Sequence, residues 1–256
     1  MIRMETDRQL AIITLDRPEK RNAFNRKMAL LLQSKLDECA ANDQIRCVCI
    51  TGAGKGFCAG QDLEEITGPQ SPGFNRILSE HYNPIVTKIR DLKKPVLAAV
   101  NGAAAGAGAN IALCCDIVIA AQSAFFVQSF SNIGLIPDSG GSFFLPRLIG
   151  WQKASALMML GEKINAAEAE RLGMIYRYYE DEVFMKEALE LGQRLASMPT
   201  LALSYIKKAL QWSSTHSLYE QLMNEDKLQQ RAALSNDFKE GVAAFLEKRE
   251  PLFKGN

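Results

Sequence analysis

Arg46-Cys47-Val48-Cys49-Ile50-Thr51-Gly52-Ala53-Gly54-Lys55-Gly56-Phe57-Cys58-Ala59-Gly60-Gln61-Asp62-Leu63 sets the pattern of the chain. Arg46–Thr51 predicts a strand with Cys47 and Cys49 on one face, and it runs directly into a glycine-rich loop. The same order recurs twice. Strand Val96–Val100 leads into Asn101-Gly102-Ala103-Ala104-Ala105-Gly106-Ala107-Gly108, and strand Ala124–Val127 leads towards Gly134-Leu135-Ile136-Pro137-Asp138-Ser139-Gly140-Gly141. Glycine and alanine let a backbone approach a ligand closely. Two free N–H groups aimed at one carbonyl oxygen form an oxyanion hole.

Outward from these loops, Leu10–Leu15 is a nearly continuous apolar run, as in a strand covered on both faces. Met28, Leu31, Leu32 and Leu36 recur at helical spacing behind a predicted N-cap at Asn25. Residues 67–74 read as a loop and Ser79–Leu92 as a helix. A small-residue helix follows the 101–110 turn, Ile117–Ala120 is a further strand, and from Phe143 onward the signal is mainly helical. Alternation of strand and helix followed by helices alone predicts an α/β core, residues 1–197, and a helical region, residues 198–256.

Composition excludes several classes of function. The 256 residues carry a formal net charge of +1, with Lys and Arg dispersed, so nucleic acid is not an expected partner. No stretch approaches the roughly 20 apolar residues of a membrane span, and the N-terminus lacks a signal-peptide core. The six cysteines have no CxxC spacing and read as buried thiols of a reducing, cytoplasmic protein. His81 and His216, read as surface or helix-face residues, stand alone, so neither a zinc site nor a Ser-His-Asp triad is expected, and no metal is assigned. Gly52–Gly56 lacks the spacing of a phosphate-binding P-loop. Gly106–Ile111 lacks the third small residue and the following acid of a dinucleotide fingerprint.

Asp138 is the one acid between Asp116 and Glu162. A carboxylate in so apolar a stretch has its charged form disfavoured and its pKa raised, which suits acid–base work. Position alone favours a helix cap or a turn residue instead.

Taken together, the motifs resemble the enoyl-CoA hydratase/isomerase (crotonase) superfamily. Phe57–Leu63 resembles its FCAGxDL loop, Lys94–Gly102 its KPVIAAVNG, and Gly134–Pro137 with Gly140-Gly141 and Leu145-Pro146-Arg147 its GLIPxxGGxxxLPR. Leu15–Ala23 and Glu240–Arg249 also fit, so the resemblance runs nearly end to end. It implies a spiral of ββα repeats, a C-terminal helical trimerisation region, trimers or dimers of trimers, and acyl-CoA substrates with no cofactor beyond the CoA they carry. By position, the oxyanion donors would be the backbone N–H groups of Gln61 and Ala107. CoA contacts would fall on Ala59, Asp62 and Leu63 and on the loop bearing Arg17, Lys20 and Arg21; solvated surface charge is the other reading of those three cations.

Two departures from the family pattern bear on the chemistry. Its hydratases split water with two glutamates, whose positions fall here on Asn110 and Phe130. With both carboxylates missing, hydration is disfavoured. Asp138 stands where several of the family's isomerases place their acid–base residue, and one carboxylate suffices for a 1,3-proton shift. Within the family, Arg46–Leu63 and Gly134–Gly141 look most like members that convert a ring 1,2-epoxyphenylacetyl-CoA to an oxepin-CoA in phenylacetate breakdown. Phe130, Phe143 and Phe144 would then line an aromatic acyl pocket, or else serve as ordinary core aromatics. The rival expectations are a 3-enoyl-CoA to 2-enoyl-CoA isomerase or a hydratase of β-oxidation, and a catalytically silent acyl-CoA-binding member.

Overall fold

The computed structural model describes residues 1–68 and 71–256, so Pro69 and Gln70 of the expected 67–74 loop lie outside the described residues. The strands are β1 (Ile2–Asp7), β2 (Leu10–Leu15), β3 (Cys47–Gly52), β4 (Gly56–Cys58), β5 (Val96–Val100), β6 (Ala103–Ala105), β7 (Ile117–Ala121), β8 (Phe125–Val127), β9 (Lys163–Asn165) and β10 (Arg177–Tyr179). The helices are α1 (Arg26–Ala41), α2 (Leu63–Thr67), α3 (Gly73–Arg76), α4 (Asn83–Asp91), α5 (Ala107–Leu113), α6 (Gly141–Ile149), α7 (Trp151–Leu160), α8 (Ala166–Arg171), α9 (Asp181–Ser197), α10 (Thr200–Ser213), α11 (Leu218–Ala233) and α12 (Asn236–Glu247). A π-helical turn, Ile77–Tyr82, joins α3 to α4.

Among the described residues, six strands form one sheet in the order β1-β2-β3-β5-β7-β10, and four form a second in the order β4-β6-β8-β9. The chain crosses from the first sheet to the second at β3–β4, β5–β6 and β7–β8, and returns each time through helical segments. This is a spiral of ββα turns. The interior strands β3, β5 and β7 pair in parallel, with Val48 opposite Val96 and Leu97 opposite Ile117. Each is covered on both faces, which explains why β5 is Val-Leu-Ala-Ala-Val and buried throughout. Asn25 caps α1 by accepting from the N–H of Met28, and the helix buries Met28, Leu32 and Leu36, each contributing roughly 1.5–3 kcal/mol.

The glycine stretches are less irregular than their composition suggests. β4 and β6 lie inside them and pair in parallel as the second sheet. α5 packs so closely on β4 that a Cβ on Gly108 would meet the Cys58 carbonyl oxygen at 2.4 Å. The stretch after Phe143 also contains the short strands β9 and β10, which a helical reading of that region passes over.

Two buried cations lock the C-terminal helices to the core. Arg46 donates to the Thr200 hydroxyl at 2.8 Å and to the carbonyls of Met198 (2.5 Å) and Phe253 (2.8 Å). Lys207 donates to Asp116 at 2.8 Å and to the Ile89 carbonyl at 2.7 Å. No described helix is long and apolar enough to cross a membrane.

Candidate active site

The first two crossings of the spiral bring Gln61 and Ala107 together. An ideal Cβ on Gly60 would lie 2.9 Å from the Ala105 carbonyl oxygen and 3.4 Å from the Ala107 nitrogen. Gly106 precedes α5 at φ 52° and ψ −127°, a conformation open to glycine, and this frees the Ala107 N–H at the helix start. Among the described residues, the N–H groups of Gln61 and Ala107 have no hydrogen-bond partner. Two unpaired donors side by side are what a thioester oxygen acquiring charge requires.

The third crossing supplies Asp138. α6 begins with Gly140 as its N-cap and has no side-chain cap, so Asp138 does not cap it. Its carboxylate accepts instead from the Ser139 hydroxyl at 2.8 Å. Burial raises its pKa above the ordinary value, and the Ser139 hydrogen bond partly offsets that rise. The turn is tight: Ser139 at φ 51° and Gly140 at φ 77° are consecutive left-handed residues. It is held from α5. The Asn110 amide donates to the Asp138 carbonyl at 2.8 Å, and its oxygen accepts from Gln128 at 2.8 Å in buried surroundings. A Cβ on Gly141 would come within 2.4 Å of the Asn110 amide nitrogen, so the two segments are in direct contact.

The segments expected to hold CoA lie against each other. Buried Asn22 donates to the carbonyls of Ala53 (3.0 Å) and Gly56 (2.7 Å), and the Ala59 N–H donates to the Arg21 carbonyl at 3.0 Å. Arg17 pairs with Asp62 at 2.7 Å, and Asp62 also caps α2 by accepting from the Glu64 N–H at 3.1 Å. Lys20 reaches Glu64 at 2.5 Å. Arg21 is exposed and its side chain has no ion-pair partner among the described residues, and Leu63 is exposed as well. Arg17 and Asp62 are thus committed to each other, while Lys20, Arg21 and Leu63 face solvent on this edge.

The aromatic residues separate. Phe130 is buried against the Ala107 loop, its ring 3.6 Å from the position a Gly106 Cβ would take. Phe143 and Phe144 line another cleft, of about 780 Å³, between α6 and α10, together with Arg90, Asp116 and Lys207. Arg147 lies 3.7 Å over the Phe143 ring. Beside the Asp138 turn is an apolar cleft of about 340 Å³ lined by Leu135, Ile136, Pro137, Trp151 and Met158.

In the π-turn, Tyr82 escaped sequence reasoning and His81 lies elsewhere than expected. Tyr82 is fully buried and its hydroxyl donates to the Gln61 side-chain oxygen at 2.9 Å. His81 is fully buried as well, with neither ring nitrogen hydrogen-bonded among the described residues, and burial lowers its pKa. The surface or helix-face position expected for it is replaced by a buried one within the π-turn. No local pattern signals either contact; Tyr82 meets a partner 21 positions away.

Residues 5–256 match the protein family described as enoyl-CoA hydratase/isomerase. The chain is 47% identical over 247 residues to the 1,2-epoxyphenylacetyl-CoA isomerase of Escherichia coli (strain K12), an alignment covering 95% of this chain and 94% of that one. It is 34% identical over 247 residues to the 2,3-dehydroadipyl-CoA hydratase of the same organism, covering 96% of each. The crystal structure of an enoyl-CoA hydratase from Polaromonas sp. JS666 superposes with a TM-score of 0.92 at 36% identity, covering 98% of this chain and 99% of that chain.

Proposed function

Because the chain belongs to the enoyl-CoA hydratase/isomerase family and is an enzyme acting on acyl-CoA thioesters, we propose that it is an isomerase whose single proton shuttle is Asp138. The thioester oxygen sits between the N–H groups of Gln61 and Ala107. Asp138 removes a proton from the carbon α to the thioester carbonyl, the C–H electrons pass into the enolate, and the oxyanion hole holds the charge. The same carboxyl then returns the proton to another carbon, so nothing is consumed and no cofactor is needed beyond the CoA of the substrate. CoA docks along residues 17–22 and 59–63 and fixes the geometry.

The observation that carries this reading is Asn110. It stands where the resemblance places the first hydratase glutamate, and its amide is spent on Asp138 and Gln128 inside the protein. Phe130 fills the second position with an apolar ring. What remains is one half-buried carboxylate of raised pKa, on a turn held by Asn110 of α5, and two free donors, one of them at the start of that same helix.

For the substrate we propose ring 1,2-epoxyphenylacetyl-CoA, converted to oxepin-CoA, supported by the 47% identity to the Escherichia coli isomerase of that name. The likeness to a hydratase at 34% identity keeps a hydration arm in the test. The region from residue 198 on, with exposed Leu210, Leu218, Tyr219, Phe245 and Leu246, we read as the surface through which three chains, or two such trimers, assemble.

Epoxyphenylacetyl-CoA, a linear 3-enoyl-CoA and crotonyl-CoA offered to wild type and Asp138→Asn test the whole reading. Isomerisation of the epoxide lost in Asp138→Asn is the expected result. Hydration of crotonyl-CoA that survives Asp138→Asn would sink the mechanism, and turnover of the linear 3-enoyl-CoA alone would sink the substrate assignment.

A further inference from the structure

The direction of the Gln61 N–H is fixed from two sides by one aromatic pair. On the backbone side, the Phe24 N–H donates to the Gly60 carbonyl at 2.7 Å and the Asp62 N–H donates to the Phe24 carbonyl at 2.8 Å. These two bonds flank Gln61 and leave its own N–H unspent. On the side-chain side, the Tyr82 hydroxyl donates to Gln61 Oε1 at 2.9 Å, while Gln61 Nε2 donates to Glu65 at 2.7 Å. The rings of Phe24 and Tyr82 meet edge to face, centroids 6.0 Å apart. Gln61 is therefore gripped by its main chain through Phe24 and by its amide through Tyr82, and the two grips are packed against each other.

We propose that Tyr82 is a positioning residue for the oxyanion hole: by holding the Gln61 side chain it aims the Gln61 N–H at the thioester oxygen. This rests on the assignment of Gln61 and Ala107 as the oxyanion donors. Burial, then the neighbouring Cys58, Asp138, Glu65 and Asp62, keep the Tyr82 phenol well above its usual range, so it stays a neutral donor throughout the working pH. A backbone donor takes its aim from what holds the residue that carries it, here the Phe24 main chain and the Tyr82 hydroxyl.

The test is the carbonyl stretch of an unreactive acyl-CoA thioester, ¹³C-labelled at the carbonyl, bound to the full-length protein and read by difference infrared spectroscopy. Wild type should show the downshift of a polarised carbonyl. Tyr82→Phe removes one oxygen and keeps the ring packing, and should lose much of that downshift. Its kcat should fall about tenfold, less than the roughly 10²–10³ lost when an oxyanion donor is deleted outright. KM should move by less than about twofold, because the contact acts mainly in the transition state.

A second variant, Tyr82→Phe with Gln61→Leu, removes the stranded acceptor as well. Replacing both partners of a buried bond by apolar groups is nearly neutral for stability, so its thermal stability should recover while the carbonyl downshift should not. A full downshift in either variant, with kcat near wild type, overturns the proposal. A wild-type complex without any downshift overturns instead the donor assignment on which it rests.

Discussion

The side-chain amide of Asn110 donates to the main-chain carbonyl of Asp138 at 2.8 Å, and that bond joins the second turn of the spiral to the third. It makes the residue at the first hydratase position a strut for the residue at the isomerase position. Asn110→Asp keeps the size and removes the donor. The carbonyl keeps its bond from the Gly141 N–H at 2.8 Å but meets a carboxylate oxygen where it had a donor, so we expect a lower melting temperature together with a loss of isomerase kcat of about tenfold or more. Asn110→Glu adds a methylene where Gly141 is already in contact. It should not create hydratase activity; measured hydration of crotonyl-CoA by that variant would contradict the strut.

The acid limb of the pH–rate profile should lie above the ordinary carboxylate range, because burial raises the Asp138 pKa and the base form is lost as pH falls through it. Among the described residues, Ser139 supplies the one side-chain hydrogen bond from another residue that favours the charged form. Ser139→Ala should therefore move that limb to still higher pH, with the plateau rate reached later. A limb that moves downward would show that the hydroxyl serves some other group.

The same raised pKa has a consequence for stability. The folded state holds the Asp138 proton more tightly than the unfolded chain, so its charge costs nothing below the unfolded pKa. The cost grows as pH rises towards the folded value and is complete above it. Asp138→Asn should accordingly melt higher than wild type at pH 7–8 and no higher in acid. Each kcal/mol relieved would raise Tm by about 2–4 °C. Equal melting temperatures at both pH values would argue against a desolvated carboxylate.

Among the cations expected at the CoA edge, Arg21 is exposed and without an ion-pair partner among the described residues, and Lys20 is engaged by Glu64. Arg21→Ala should raise KM for the acyl-CoA about threefold to tenfold with kcat unchanged, as loss of uniform binding does. A pantetheine thioester without the nucleotide should show no difference between the two proteins. Glu64→Gln releases Lys20 and should lower KM for the full acyl-CoA.

How much of this could be read in the residues depended on length and on locality. Leu10–Leu15, Arg46–Thr51 and Val96–Val100 are long enough for hydropathy to speak, and they are strands of the large sheet. β4, β6, β9 and β10 have three residues each, too few to display a period, and two of them are hidden in glycine and alanine. Asp138 is legible as a lone acid, but the observation that removes its capping role, Gly140 as the N-cap of α6, is geometric. Phe143 looked as suited to an acyl pocket as Phe130; only packing sends one to the α6–α10 cleft and the other to the Ala107 loop. Tyr82 was illegible because apolar spacing over 79–92 predicts an α-helix and cannot register a change of phase within it.

That change of phase has a further meaning. The Ile77–Tyr82 turn holds one more residue than an α-helical turn would. Deleting a single residue upstream of Tyr82 would restore the α-helical phase and swing the phenol by about 100° around the helix axis, away from Gln61. The contact between Tyr82 and Gln61 is thereby written as a length of chain as well as a choice of side chain. A lineage could gain or lose it by an insertion or deletion of one codon, a step that comparison of substitutions alone would never register.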